Sequence, residues 1–444
     1  MPELLDIATK VAGAANDGEQ LEVHVGRTRD TEIRIYKGDV EQLTTADRAN
    51  VTIRVVRDGR TGSAVVGTLD DVAIKEALED ARDNAAYGTP DEFAGVADPD
   101  GVEPADIDPY DPELETFPTD KKIDLAIELE KMLQSSDERV RIVESVDYSD
   151  HRVESAVANS EGIALSSRRT AVGLTGLLIA GEDPDSQTGY GVSAARRPSD
   201  LDLERVRSKA VERAVRMLGA TKPQSAKVTV VLEPNMTSAL LSIVGGTLSG
   251  EAVLKGRSLF ADRVGEEVAA PMFSLIEDPT DPAAWSASRS DAEGLATRRV
   301  QLIDRGVLQG YLYDSYSARR AGTSSTGSAV GAAAPAVGFR ALTVAPGDRG
   351  FDEIVASVDD GVLVQSLKGL HSGVNPVSGD FSVGATGLRI RNGKIAEPLR
   401  EFTIGSTIQR MLKAVVAVGN DLEWVSGSAV QVTVAIGDVS MAGV

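Results

Sequence analysis

Hydrophobic positions along this chain change period several times, and each change marks an element. Over residues 2–14, Leu4, Leu5, Ile7, Ala8 and Val11 fall on one side at helical spacing, which predicts an opening helix. Residues 21–25, 32–36 and 51–56 alternate or are β-branched and predict strands. Asp58-Gly59 then predicts a hairpin turn into a strand at 63–66. A helix rich in Ala, Asp and Glu follows over 69–86. Farther on, Ile123, Ala126, Ile127, Leu129 and Met132 predict a helix over 119–134. Strands are predicted at 140–148, 152–159, 163–175 and 190–194, and a helix over 203–218 ends before Lys222-Pro223. The last part opens with a strand at 227–232 and a small-residue helix from 236 to about 255. Gly and Ala dominate 322–338, which predicts a loop. Strands at 365–370, 386–391 and 394–397, the last two joined by an Asn392-Gly393 turn, precede a helix at 405–416 and a strand at 430–436. No fixed-period repeat emerges.

These elements predict an α+β protein, with N-terminal and middle α/β segments followed by a large mixed, mostly β C-terminal domain. A length of 444 residues suits two or three domains. The clearest boundary is residues 88–120, with eleven acids, six prolines and no Lys or Arg. Like charge and proline together resist compaction, so this stretch reads as an exposed linker or loosely draped strap and as the first target of limited proteolysis. The division is then 1–87 for an N-terminal α/β domain, 88–120 for the acidic linker, 121–224 for a middle α/β domain and 225–444 for the C-terminal domain.

Charge and cysteine content narrow the chemistry. Acids outnumber bases 68 to 46, a net charge of -22, which opposes binding to nucleic acid or an anionic membrane. With no cysteine, disulfides, thiolate nucleophiles and sulfur-ligated zinc are excluded. The N-terminal residues have neither the basic region nor the apolar region of a signal peptide, and no apolar run approaches a membrane span. The expected location is the cytoplasm.

Candidate chemistry is sparse. From Pro234 to Gly250 no side chain ionises, so the helix after the strand at 227–232 offers a metal neither ligand nor base and reads as a packing helix. The stretch from Gly369 to Gly387 holds His371, Ser372, Ser378 and Asp380. A Ser-His-Asp triad is one reading, but residues so close in one loop seldom reach that geometry, and a glycine-rich hairpin tying down its own backbone is the other. Gly322-Thr-Ser-Ser-Thr-Gly327 lacks the Lys of a phosphate loop. Arg319-Arg320 beside Tyr316 suits the grip of an acidic chain end, or a solvated face.

Four ordered motifs carry a resemblance. They are Tyr311-Leu-Tyr-Asp-Ser-Tyr-Ser-Ala-Arg-Arg320 with Ser325-Thr-Gly327, then Gly369-Leu-His-Ser-Gly-Val-Asn-Pro-Val-Ser-Gly-Asp-Phe-Ser-Val-Gly384, then Ile390-Arg-Asn-Gly-Lys-Ile395, then Ala417-Val-Gly-Asn-Asp-Leu422. In this order they resemble the TldD/TldE (PmbA) family, most strongly over 225–444. The resemblance implies a heterodimeric zinc metallopeptidase acting on peptides. Its TldD subunit carries His-Glu-x-x-x-His on the helix after the first strand of the C-terminal domain, plus a cysteine ligand near the C-terminus, and TldE lacks them. Alignment on Gly256-Arg-Ser-Leu-Phe260 places those motif positions at Leu241, Ser242 and Gly246, and the loop from His371 to Phe381 resembles the TldE version. The resemblance therefore implies a TldE-like subunit with no catalytic residue and no metal or cofactor of its own. Zinc is expected in a TldD-like partner, and Tyr316, Arg319, Arg320, His371, Asn375, Gly379 and Asp380 are the candidate lining of a shared peptide cavity. Two alternatives remain: a regulatory or binding protein that acts without that partner, and a hydrolase built on His371, Ser372 and Asp380.

Overall fold

The computed structural model describes residues 2–424 and 430–444. Its first half is one αβββα unit laid beside another. Unit one runs α1 (Pro2–Ala12), β1 (Glu19–Tyr36), β2 (Asp39–Arg57), β3 (Arg60–Val66) and α2 (Asp71–Tyr87). After a single helical turn, α3 (Glu113–Thr116), unit two runs α4 (Thr119–Gln134), β4 (Val140–Asn159), β5 (Ala164–Ala180), β6 (Gln187–Ala195) and α5 (Leu203–Val215). The predicted short strands 21–25 and 32–36 are halves of β1, and 140–148 and 152–159 are halves of β4, because unbroken pairing carries the backbone through the polar residues between them. The six strands form one antiparallel sheet in the order β3-β2-β1-β4-β5-β6. The two segments read separately along the chain thus join edge to edge through β1 and β4.

Alternation in β1 explains the layering. Leu21, Val23, Val25, Ile33 and Ile35 share one face. The first three pack under α1 and α2, the last two under α4 and α5. Helix α2 supplies Ile74, Ala77, Leu78, Ala81 and Ala85, a stripe at helical spacing, and is capped by Asp70, which accepts from Val72 N and Ala73 N. Glycines let the helices come close. A Cβ on Gly62 of β3 would sit 2.1 Å from Ala85 N of α2, and one on Gly191 of β6 would sit 2.0 Å from Val206 O of α5. The sheet's other face carries Glu22, Arg54 and Val157 and meets the C-terminal domain, where Arg54 approaches Glu293. A Cβ on Gly294 would strike Ile163 and Val157 at the same junction.

The C-terminal domain contains β7 (Ala226–Leu232), α6 (Pro234–Thr247), α7 (Gly250–Leu254), β8 (Leu275–Glu277), β9 (Val300–Asp304), β10 (Val307–Leu308), α8 (Ser315–Ala321), β11 (Ala329–Val330), β12 (Ala336–Val337), β13 (Leu342–Val344) and α9 (Phe351–Ala356). It continues with β14 (Asp360–Lys368), α10 (Leu370–Gly373), β15 (Asp380–Arg391), β16 (Lys394–Thr407), α11 (Ile408–Lys413), β17 (Val415–Val418), β18 (Glu423–Trp424), β19 (Val430–Gln431) and β20 (Val434–Ala442). The main sheet runs β16-β15-β14-β7-β20-β17. Along one edge β20 pairs with β17 in its first half and with β16 from Ser440 to Ala442, so the sheet closes on itself as a barrel. A second sheet, β10-β9-β8-β13, shares the largest core with it, around Phe260, Phe273, Phe381 and Phe402. The fold is α+β.

Further predicted elements differ through tertiary pairing, and the loop expected over 322–338 contains the paired strands β11 and β12. The helix expected from 236 to about 255 breaks after Thr247. There Leu312 N donates to Leu248 O at 3.0 Å and Gly250 N to Leu312 O at 2.7 Å, so backbone pairing replaces helical bonds, and Ser249 caps a new helix. The helix expected over 405–416 is only α11, because β16 stays paired with β15 to Thr407 and Val415 already pairs with β20. The long loop expected from 369 to 387 opens with the single turn of α10 and ends at Gly379, beyond which β15 begins.

Of residues 88–120, all expected to be exposed or loosely draped, 88–112 are a pinned strap, and the remainder holds α3 and the start of α4. Val96 and Ala97 are buried. Arg319 donates to the carbonyls of Phe93, Gly95 and Val96 at 2.8, 3.0 and 3.1 Å, Asn159 to Ala97 O at 2.7 Å, and Arg289 to Ala105 O at 3.1 Å. Asp100 pairs with Arg298, and Asp108 with Arg168 at 2.6 Å. The strap's own sequence has no counter-charge, but arginines of both neighbours supply it.

Two outcomes follow. Gly191→Ala should lower unfolding stability by about 1–3 kcal/mol, because the new methyl meets backbone that cannot rotate away; an unchanged urea midpoint would contradict the close helix–strand contact. Arg319→Ala should open new protease cleavage sites between residues 91 and 97 that the parent chain resists at the same protease dose, read by mass spectrometry of the fragments. Equal cleavage of both proteins would show that these hydrogen bonds do not hold the strap.

Candidate functional site

Helix α6 follows β7 and begins at Pro234, whose missing N–H costs nothing in a first turn. Leu240, Leu241 and Val244 are buried in the main core. Ser242 is exposed and its hydroxyl donates to Ser238 O one turn back at 2.9 Å. Gly246 has open space where a Cβ would stand, and with Gly245, Ser249, Lys255 and Phe339 it lines a cleft of about 320 Å³. Of the three positions aligned with the zinc motif, then, one is core, one bonds its own helix and one is bare backbone. Neither nitrogen nor carboxylate is available there, so these residues do not fit a zinc ion. Among the described residues no group of three or more His, Cys, Asp or Glu is placed to hold a metal ion.

The loop from Gly369 to Gly379 is held by its own backbone and by α11. Asn375 Oδ1 accepts from Val377 N at 2.9 Å and Ser378 N at 3.2 Å, a side-chain-closed turn. Gly379 sits at φ +83°, with Gln409 of α11 filling the place of a Cβ, and its carbonyl accepts from Ile408 N at 2.8 Å. His371 is exposed and its ring forms no hydrogen bond or ion pair among the described residues. Asp380 takes the Ser378 hydroxyl at 2.7 Å, and Ser372 donates weakly to Gly369 O at 3.4 Å. His371, Ser372 and Asp380 share no hydrogen bond, so the triad geometry is not assembled.

Tyr316, Arg319 and Arg320 lie together on α8, which Asp314 starts with a capping box. All three face the strap. Tyr316 donates to Asp91 at 2.7 Å, and Arg320 stacks near the rings of Tyr316 and Phe93, 5.6 and 6.0 Å from their centroids. Arg319 spends its donors on three strap carbonyls. Their contacts are with the strap, and none is with the loop that carries His371, Asn375, Gly379 and Asp380.

The polar cluster that sequence reading missed lies between the sheet and the C-terminal domain. Arg54 of β2 stands opposite Glu22 of β1 in register. Its Nη2 is 3.0 Å from Glu22 Oε2 and 3.9 Å from Glu293 Oε1, with every one of these side chains buried. Burial opposes the charge on Glu22, but the hydrogen bond from His24 and the charge of Arg54 outweigh it and hold this carboxyl below its ordinary value. Glu293 goes the other way. Burial first, then the charges of Glu22 and Asp291, push it up to about 7. The sequence signal was present: Glu22 and Arg54 sit inside otherwise apolar strand runs, at positions that alternation assigns to a solvent face.

Because the Glu293 pKa is raised on folding, its unfolded form loses the proton first as pH rises. Stability from this group is complete below about 4.5 and is lost on the way up to about 7. In urea titrations, the stability of the parent chain relative to Glu293→Gln should therefore fall between pH 5 and pH 8. A gap that is constant or widens with pH would contradict the buried, raised carboxyl.

Known proteins resemble this chain along most of its length. Models of the PmbA/TldA metallopeptidase family match residues 21–85 as domain 1, 112–218 as the central domain and 225–443 as the C-terminal domain. Metalloprotease PmbA of Escherichia coli O157:H7 is 29% identical over 426 residues, spanning 95% of this chain and 92% of that protein. The metalloprotease PmbA homolog of Haemophilus influenzae is 27% identical over 423 residues, spanning 94% and 90%. The crystal structure of TldE from Thermococcus kodakarensis superposes with a TM-score of 0.89 over the full length of both chains at 24% identity, a likeness of fold. With family models matching well over half of its length, across both αβββα units and the closed C-terminal sheet, this chain belongs to the PmbA/TldD metallopeptidase family.

Proposed function

We propose that this chain is the non-catalytic, TldE-like subunit of a heterodimeric zinc metallopeptidase. A TldD-like partner carries the zinc and the reacting groups, and this chain completes the cavity that holds the peptide. The observation that carries the reading is α6. A hydrolytic zinc needs ligands with lone pairs and a base to take the water's proton. Leu241, Ser242 and Gly246 supply none of these, and no other residue from Pro234 to Gly250 ionises. The open cleft beside Gly246 supports a role in receiving backbone rather than reacting with it. The polar, glycine-turned loop at 369–379 supports a positioning role for His371, Asn375, Gly379 and Asp380. Among the described residues no helix is long and apolar enough to cross a membrane, and a cytoplasmic location belongs to this proposal.

The test is coexpression with a relative that carries His-Glu-x-x-x-His. Tagged copies of this chain should retain that relative on affinity and size-exclusion columns. The pair should cleave an unstructured peptide that this chain alone leaves intact. A chain that purifies alone from such coexpression and cleaves the peptide unaided would overturn the reading.

A further inference from the structure

A second pocket, of about 420 Å³, lies where the sheet's helix-free face meets the C-terminal domain. Register explains its sheet wall. Across β1, β4 and β5 run three rows: His24–Val157–Leu165, Gly26–Ser155–Ser167 and Thr28–Val153–Arg169. At Gly26 the middle row carries no side chain of its own and the Asn50 amide covers it, and the Ser155 and Ser167 hydroxyls are 2.8 Å apart. Ser288, Ser290 and Arg340 line the pocket from the C-terminal domain.

Two half-buried guanidinium groups thus share one pocket with the Asp291 carboxyl, and among the described residues neither is within ion-pair distance of a carboxylate. Arg169 donates to Ala287 O at 2.9 Å and Arg340 to Ala329 O at 2.6 Å, and among the described residues neither forms an ion pair. The nearby acids act on Arg340 through charge but spend their hydrogen bonds on backbone. Asp291 accepts from the backbone N–H groups of Glu293, Leu295 and Ala329, and Glu277 from those of Arg340 and Ala341. Each guanidinium has five N–H donors, so most of this donor capacity is unspent. Burial lowers the pKa of both; for Arg169 the neighbouring charges of Arg340 and Arg196 lower it further, whereas for Arg340 the charges of Asp291 and Glu277 oppose the shift. Confined cations that repel one another are stabilised by an anion placed between them.

We propose that this pocket binds a carboxylate, and that the carboxylate is the C-terminal end of a peptide. Planar forked donors match a carboxylate in two-point geometry. The volume argues for more than an inorganic ion: a water occupies about 30 Å³ of liquid, so a small anion would leave most of the space to solvent. The serines offer hydrogen bonds to a peptide backbone, and Val153, Val157 and Leu165 offer apolar wall to its last side chains. A net charge of -22 repels anions in general, so capture depends on this local pair of cations. The peptide as source rests on the function proposed above, whereas the carboxylate chemistry rests on the pocket alone.

The experiment uses the isolated full chain and calorimetric titration with three probes: N-acetylated trialanine with a free C-terminus, the same peptide as its C-terminal amide, and inorganic phosphate. The free acid should bind at least about tenfold more tightly than the amide, the worth of a charged hydrogen bond, and more tightly than phosphate. Arg169→Gln and Arg340→Gln should each remove that preference, while Arg305→Gln on the surface should keep it. Thermal melting verifies folding, and if a pocket variant does not fold, the acid–amide comparison on the parent chain decides. Equal binding of acid and amide, no binding of the acid, phosphate binding as tightly as the peptide acid, or an unchanged preference in folded Arg169→Gln would each overturn the proposal. No peptidase activity enters this test. Loss of acid-selective binding with partner capture intact removes this pocket's role alone, and loss of partner capture with acid-selective binding intact removes the subunit reading alone.

Discussion

Arg54 is the cation on which the two halves of the molecule meet. It projects from the sheet face opposite the helices, pairs with Glu22 on the next strand, donates to Gly95 O of the strap and approaches Glu293 of the C-terminal domain. A charge taken out of water is tolerated only where partners replace the water, and removing one partner leaves the other exposed to the full penalty. Sheet, strap and C-terminal domain must therefore all be in place for Arg54 to be buried at all. The opposite shifts of Glu22 and Glu293 follow from this geometry: both are buried, but Glu22 has His24 and Arg54 beside it, whereas Glu293 faces the charges of Glu22 and Asp291. The pocket that holds Arg169 and Arg340 opens on the same face and exists because this docking is fixed.

Much of the fold was legible from period and punctuation. Helices α2 and α4 show their apolar stripes, and Asp58-Gly59 and Asn392-Gly393 mark hairpins that the structure contains. What was not legible depended on partners distant along the chain. Polar residues in the middle of β1 and β4 hid the continuity of those strands, which is kept by cross-strand pairs such as Arg27 with Glu154 and Asp30 with His151. The doubling of the αβββα unit left no trace in sequence period, since topology repeats where side chains do not. Residues 88–112 looked loose because their compensating charges, Arg168, Arg289, Arg298 and Arg319, lie elsewhere.

The candidate site divides in the same way. Absence was readable: a stretch without ionisable side chains cannot offer zinc a ligand, however it folds. Placement was not. Arg319 and Arg320 stood beside Tyr316 in a motif that suggests a grip on a ligand, and they grip the strap of their own chain. His371 stood near serines and an aspartate, and those hydroxyls serve the turn instead. The buried Arg54 cluster escaped notice because alternation assigns its positions to solvent, and only the docking of a second domain converts that face into an interior.

On the function proposed, α6 in this chain is a packing and lining helix and the zinc of the complex belongs to the partner. Native mass spectrometry of the copurified pair, followed by gas-phase dissociation into subunits, distinguishes the two possible locations of the metal. Zinc should be found on the intact pair and on the released His-Glu-x-x-x-His subunit, with this chain released at its zinc-free mass. Zinc retained on this chain, at the stoichiometry of a bound site, would contradict it.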